Sequence, residues 1–316
     1  MIAEVEVSRK KMILADLSLL IVAVFWGSNF VVMKASLELI PPFTYLGLRF
    51  LAAAVLVAVV FWRKMRQVTS QDLLIGSLIG FFLFAGFGFQ TIGLLYTTPA
   101  KSGFITGTAV VIVPFLYILV TRKSPGWLSF AGGFLAAVGL FLLSASETFG
   151  LEFGDALTFI SAILFAAHII SLGIFAPRRD PLILAAVQMA FVGLANLSIA
   201  LFVEPIAGML AHPPIIWGAI FYAVFFCTIG AFVTQTVAQR FTLPTHAALI
   251  LSTEAVFAGL FSLLFWEELF TLQKLAGALL IFTGIAVTEL KPILAARAAK
   301  RQAEAPVSTA PNSEHL

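Results

Sequence analysis

The sequence is short of charge. Asp, Glu, Lys and Arg make up 11% of its 316 residues, against about a quarter in an average soluble protein. Apolar residues reach 60% and the mean hydropathy is +1.04. A chain with so little polar surface cannot wrap itself around one water-excluding core. That excludes an ordinary soluble globule and points to lipid as the solvent. Cysteine occurs once, at Cys227, so neither a disulfide framework nor a cysteine metal site is available. The four histidines, His168, His212, His246 and His315, are not at metal-ligand spacing, and no metal is expected. No phosphate-cradling Gly-Lys loop is present, which excludes direct drive by ATP. No nucleophile, base and orienting group fall into a readable motif, so no catalytic residue and no cofactor is expected.

What is present is a series of long apolar runs. Ten occur, at about 13–34, 43–62, 73–95, 102–121, 127–144, 155–175, 182–203, 215–238, 245–266 and 272–290. Each is close to the roughly 20 residues that a helix needs to cross a bilayer core. Their continuity argues for helices, which satisfy their own backbone in lipid, over alternating barrel strands. The expected fold is an all-α integral membrane protein of ten transmembrane helices. The first run follows Arg9, Lys10 and Lys11 but is too long for a signal peptide and lacks a cleavage site, so it reads as a retained span.

The few charges are distributed by side. Fifteen of the 19 Lys and Arg residues fall on the amino-terminal segment, on alternate loops and after the last run, including Arg63, Lys64, Arg122, Lys123, Arg178, Arg179 and Arg240. The positive-inside rule then places both termini in the cytoplasm of a cell with an inner (plasma) membrane. The opposite loops carry Glu38, Glu147, Glu152, Glu204, Glu267 and Glu268. This pattern follows topology and makes no nucleic-acid patch. Residues 1–12 read as a short cytoplasmic segment, and 291–316, short of large apolar residues, as a disordered cytoplasmic tail.

The chain repeats itself. A shift of 145 residues superposes Phe87, Gln90, Thr91, Thr97, Pro99, Ile105, Thr108, Gly132 and Gly139 on Phe232, Gln235, Thr236, Thr242, Pro244, Ile250, Thr253, Gly277 and Gly284. A shift of 139 places Asp16 on Asp155, Trp26 on Phe165, Asn29 on His168 and Arg49 on Gln188. The halves are 13–146 and 147–290. Each holds five spans, an odd number, so the second must thread the membrane in the opposite sense. Two inverted five-helix repeats are an architecture of secondary carriers, in which one site opens alternately to each side.

Polar groups inside spans are costly and should face a cavity or a partner. Glu254 is the only carboxylate well inside a span. It is the candidate for binding a proton, a cation or a substrate amine, the alternative being a hydrogen-bonded tie between helices. Arg49 could hold a substrate carboxylate by a forked hydrogen bond, or snorkel outward and pair with Glu38. His168 is either a substrate contact or a packing residue. Asn29 lies at a depth similar to Arg49. Gln90 and Gln235 form a matched amide pair for a cavity wall, while Gln188 and Gln239 add further amides. Trp26, Phe30, Phe87 and Phe89 are candidates for its apolar part. Gly132, Gly133, Gly139, Gly277 and Gly284 permit close helix approach, and Pro114 marks an expected bend.

The stretch from Gln235 to Leu290, beginning QTVAQRFTLPTHAALILSTEAV, resembles the second EamA-like domain of the drug/metabolite transporter superfamily. The first half does so through WGSNFVVMK from Trp26, FTYLGLRF from Phe43 and GLLYTTPAKSGFITG from Gly93. The resemblance spans about residues 13–290 and implies a ten-helix carrier of a small metabolite, with amino-acid export favoured and a substrate cavity between the halves. The polar and aromatic residues inside the spans make Trp26, Asn29, Arg49, Gln90, His168, Gln235 and Glu254 the candidate substrate contacts, with Glu254, which the family likeness also retains, the candidate for coupling. The partners expected are a small-molecule substrate and the lipid bilayer, with no nucleic acid; a homo-oligomer is left open. The family's Glu-Pro pair in the ninth span reads here as Glu254 and Ala255, which puts a kink there in question. Its Gly-Glu before the last span reads as Trp266 and Glu267. A membrane-embedded enzyme acting on a lipid-linked substrate is the alternative, and would need polar groups clustered at one membrane face.

Overall fold

The computed structural model describes residues 9–144, 152–205, 213–265 and 271–304. Glu147, His212, Trp266, Glu267, Glu268 and His315 lie outside the described residues. Within them the chain is helical and contains no strand. The first half comprises α1 (Arg9–Leu37), α2 (Pro42–Val60), α3 (Trp62–Met65), α4 (Ser70–Leu95), α5 (Pro99–Gly107), α6 (Ala109–Thr121) and α7 (Trp127–Ser144). The second comprises α8 (Phe153–Phe175), α9 (Pro181–Val203), α10 (Pro214–Val224), a π turn (Phe225–Gly230), α11 (Ala231–Ala238), α12 (Pro244–Leu251), α13 (Glu254–Phe265) and α14 (Leu272–Glu304).

Several of these helices start where the sequence offers proline. Pro42, Pro99, Pro181, Pro214 and Pro244 open α2, α5, α9, α10 and α12. At that position the missing N–H costs no hydrogen bond and the fixed φ suits the helix. Among the described residues, eight helical segments are long and apolar enough to cross a membrane, and 127–142 and 272–288 are shorter apolar helices. The last helix departs from the sequence expectation: it runs on to Glu304, so residues 291–304 are helical, not disordered. Alanine, lysine and arginine, which dominate that stretch, are strong helix formers even without apolar packing.

Equivalent helices of the two halves pack on each other in opposite directions. On α7, a Cβ at Gly139 would fall 2.5 Å from the Gly277 carbonyl oxygen of α14, and one at Gly132 would fall 2.7 Å from that of Gly284. Gly277 and Gly284 are the repeat counterparts of Gly132 and Gly139, so each glycine meets the other's counterpart. The same exchange joins α2 to α9, where Gly47 abuts Leu197 and Gly193 abuts Leu51. As the residue number rises on one helix it falls on its partner, which is the signature of inverted repeats about an axis between them. Gly132, Gly139, Gly277 and Gly284 therefore make the close approach at the α7–α14 seam, while Gly133 faces α6 with ordinary spacing.

The fourth and ninth apolar runs are each broken, and at matching residues. α5 passes to α6 at Thr108, and α12 passes to α13 through Ser252 and Thr253. Thr108 Oγ1 donates to the Ile105 carbonyl at 2.5 Å, and Thr253 Oγ1 donates to that of Ile250 at 2.7 Å. The amides of both threonines reach back to the same carbonyls at 3.1 Å. Side-chain and main-chain donors converge on one acceptor, tightening the turn and interrupting the i−4 ladder. The bend expected at Pro114 thus lies six residues earlier, and α6 runs through Pro114. The ninth run is interrupted without the family's proline.

The basic loops gather at one end of the bundle. Lys64 meets Asp180 at 2.6 Å, Arg179 meets Asp72 at 3.2 Å, and the Lys11 ammonium lies over the Phe241 ring. At the other end Lys34 donates to the carbonyls of Leu94, Leu95 and Thr97, closing the carboxyl terminus of α4. There too Glu204, at the end of α9, accepts from the Phe43 and Thr44 amides and caps α2.

Candidate functional site

A cavity of about 60 Å³ lies between the halves, room for on the order of five waters. Its wall takes Trp26, Asn29 and Phe30 from α1, Leu83, Phe87 and Gln90 from α4, and Thr106 from α5. The second half supplies Phe165, His168 and Ile169 from α8, Phe232 and Gln235 from α11, and Leu251, Ser252 and Glu254 around the α12–α13 break. Four of its aromatic rings form one contiguous set: Phe232 stands 5.1 Å from Trp26 and 6.0 Å from Phe87, and Phe87 stands 5.2 Å from Phe165, centroid to centroid.

Glu254 opens α13 directly after the break, 7% exposed. The interrupted ladder sets it at a helix start, where a negative charge is favoured by the helix dipole. Among the described residues its carboxyl forms no hydrogen bond and no ion pair. The tie between helices weighed from the sequence is therefore not made through this side chain.

The matched amides differ. Gln90 Nε2 donates to Thr106 Oγ1 at 2.9 Å, whereas both amide atoms of Gln235 are buried without a partner. The repeat explains the difference, since the position equivalent to Thr106 is Leu251, which has no hydroxyl. Asn29 Oδ1 is likewise buried and unpartnered. Buried polar groups are normally satisfied, so these atoms, all on one cavity wall, are placed for a bound solute or water. His168 is held by Gln188 at 2.8 Å, Gln188 donates to Thr236 at 3.2 Å, and Thr236 donates to the Phe232 carbonyl. That chain fixes the imidazole on the wall.

Arg49 is not among the lining residues, and it neither snorkels nor pairs with Glu38. It is fully buried behind the wall. Its Nε donates to Thr228 Oγ1 at 2.5 Å and its Nη2 to the Cys227 carbonyl at 2.9 Å, with the guanidinium 5.2 Å from the Phe50 ring and 5.3 Å from that of Phe87. The same carbonyl accepts from Trp26 Nε1 at 3.1 Å. Thr228 is oriented by the π turn, its hydroxyl reaching the Ala223 carbonyl five residues back. Gln239 is structural, donating to the Ile169 carbonyl at 2.8 Å, and Phe89 is 37% exposed, off the cavity. Phe165 and Phe232, marked in the sequence only as repeat counterparts, are part of the wall.

Each end of the bundle holds one contact of a repeat-equivalent pair. At the end opposite the basic loops, Asp155 lies 2.7 Å from Lys101 Nζ and accepts from Thr97 at 3.1 Å, with its side chain 3% exposed. At the basic end, Asp16 and His246 occupy the equivalent positions, His246 Nε2 3.3 Å from Asp16 Oδ1 and not aligned as a hydrogen bond. A second hollow, lined by Asp16, Leu17, Leu20, His246 and Ile250, opens beside the looser contact.

Comparison with known proteins agrees with this architecture. The EamA-like transporter family matches residues 13–145 and again 152–290. An uncharacterized transporter of Archaeoglobus fulgidus is 33% identical over 281 residues, covering 89% of this chain and 87% of the relative. The Bacillus subtilis uncharacterized transporters YvbV and YetK are 26% and 27% identical, covering 87% and 89% of this chain and 91% and 88% of their own. A solved crystal structure superposes with a TM-score of 0.72 at 17% identity, covering 90% of this chain and 98% of its own, a likeness of fold. Matched twice along its length by one family and built as two antiparallel copies around a cavity, the chain belongs to the EamA-like transporter family, as a membrane transporter.

Proposed function

We propose that the protein is a secondary carrier that moves a small organic solute across the inner membrane by alternating access, with both termini in the cytoplasm. One observation supports this reading: the cavity is lined by both inverted halves, and each end of the bundle carries one contact of a repeat-equivalent pair, 2.7 Å at one end and 3.3 Å at the other. In this reading the Asp155–Lys101 contact closes one end and the longer Asp16–His246 contact the other. Exchanging the conformations of the halves would exchange which end is sealed. The gathering of basic loops at the Asp16 end supports assigning that end to the cytoplasm.

Export is the direction favoured by the family likeness, and an amino acid or related metabolite is the class it implies. Glu254 is the proposed coupling group, because it is the one carboxylate on the cavity wall and has no partner among the described residues. An enzyme acting on a lipid-linked substrate would place its polar groups at a membrane face, whereas Asn29, Gln90, Gln235 and Glu254 line an interior cavity.

Uptake and efflux of labelled amino acids and amines in proteoliposomes, with and without a pH gradient, tests the reading. The natural protein is expected to move at least one solute faster than protein-free vesicles and to respond to the gradient, and Glu254→Gln to lose that response. Failure of every solute to move would sink the carrier assignment. An unchanged gradient response in the variant would remove Glu254 from coupling.

A further inference from the structure

The charge lining the cavity is one-sided. Of the residues on its wall, Glu254 is the only Asp, Glu, Lys or Arg. A buried carboxylate without a partner is costly at membrane depth and favours any cation that can reach it. Basic side chains nearby are engaged elsewhere: Arg49 through Nε and Nη2 to Thr228 and the Cys227 carbonyl, with Nη1 unpartnered but off the cavity wall, Lys34 to the end of α4, and Lys101 to Asp155. The Arg49 guanidinium is further screened from the cavity by the Phe87 ring that it stacks on.

The remaining wall suits the rest of a cationic solute. Trp26, Phe30, Phe87, Phe165 and Phe232 present aromatic surface, which receives both an apolar body and an ammonium approaching a ring face. The unpartnered Asn29 Oδ1 and Gln235 Oε1 are acceptors for ammonium hydrogens. A solute carboxylate would meet no positive side chain here and would lie in the same cavity as the Glu254 carboxyl. Discrimination then comes from repulsion of the wrong charge as much as from attraction of the right one.

We infer that the solute is a small organic monocation, a primary amine on an apolar or aromatic body and without a carboxylate, with Glu254 as its counter-ion. The inference rests on the carrier reading and replaces the amino acid with a carboxylate-free amine as its solute.

Binding to the full-length protein in nanodiscs, measured by calorimetry, tests it with four matched probes: 2-phenylethylamine, L-phenylalanine, 3-phenylpropionate and 2-phenylethanol. The amine is expected to bind at least tenfold tighter than either carboxylate-bearing probe. Glu254→Gln should lose at least tenfold in amine affinity while keeping the natural unfolding temperature, which shows that the variant is folded. Glu254→Asp, which keeps the charge, should retain the preference for the amine. Equal affinity for phenylalanine and phenylethylamine, an unchanged amine affinity in Glu254→Gln, or no binding of the amine overturns the inference. Because binding is read without turnover, an amine that binds while no solute moves in proteoliposomes sinks the carrier reading alone. Movement of amino acids without amine binding sinks this inference alone.

Discussion

Arg49 Nε donates to Thr228 Oγ1 across the boundary between the two repeats, at 2.5 Å and out of contact with solvent. Two of its three nitrogens, Nε and Nη2, donate to protein oxygens and its face meets two phenyl rings, while Nη1 is buried without a partner.

Removing the acceptor should therefore loosen the joint between the halves. Thr228→Val leaves Nε without a partner and is expected to lower stability by about 1–3 kcal/mol, as for other buried donors left unsatisfied. Arg49→Lys should lose a comparable amount, since an ammonium cannot reproduce the fork. Thermal unfolding in detergent micelles measures both. A Thr228→Val protein as stable as the natural one would show that the bond contributes little.

At the α7–α14 seam the backbones touch at Gly139 but leave room at Gly133, where a Cβ would lie 3.6 Å from the nearest atom, the Val110 carbonyl oxygen. Gly139→Ala should cost about 1–3 kcal/mol through the clash with the Gly277 carbonyl. Gly133→Ala should be neutral or stabilising by up to about 1 kcal/mol, from helix propensity alone. Equal effects of the two substitutions on unfolding temperature would contradict the seam geometry.

The Asp155–Lys101 contact predicts a change in accessibility. With Cys227→Ser as background and a cysteine introduced by Gln90→Cys on the cavity wall, Asp155→Asn should raise the rate of labelling by a membrane-impermeant maleimide from outside by at least threefold. A rate that does not change would mean that this ion pair does not hold the end opposite the basic loops closed.

Asp180 offers a pH test outside the membrane. Burial acts to raise its pKa, but the hydrogen bond from Lys64 and those from the Leu182 and Ile183 amides outweigh it and hold the carboxyl below its ordinary value. The native state then binds this proton less tightly than the unfolded chain does. Its contribution is complete at neutral pH and fades as pH falls below the usual aspartate value of about 4 and through the depressed native one. Asp180→Ala should cost about 1 kcal/mol at pH 7, mostly through the lost α9 cap, since the side chain is 33% exposed and its ion pair with Lys64 counts for little. The difference from the natural protein should shrink toward pH 2, as followed by denaturant unfolding. A penalty that stays constant from pH 7 to pH 2 would exclude this linkage.

Much of the candidate site is legible along the chain. Trp26, Asn29, Gln90, His168, Gln235 and Glu254 can be picked out as polar or amphipathic groups at mid-span, and all six lie on the cavity wall. Arg49 can be picked out by the same reasoning and lies behind it. Sequence supplies depth along a helix through the rise per residue, but not rotation about the helix axis. In helices that are apolar on every side, no periodicity marks the inward face. Phe165 and Phe232 are hidden for the same reason among 32 phenylalanines, and the π turn at Phe225–Gly230 carries no proline or glycine pair to announce it.

Composition, run length and the 139- and 145-residue repeat determine a helical membrane bundle made of two similar halves, because lipid leaves an unpaired backbone no other partner and a duplication leaves its polar residues at fixed offsets. Only the tertiary structure decides which polar groups remain unsatisfied. Gln90 finds Thr106 while Gln235 meets Leu251 and stays unpartnered, and Arg49 finds Thr228 and the Cys227 carbonyl but keeps Nη1 unpartnered. Hydrogen bonding is settled by which faces meet after packing, and that meeting leaves a carboxylate on the cavity wall with the cationic groups turned away.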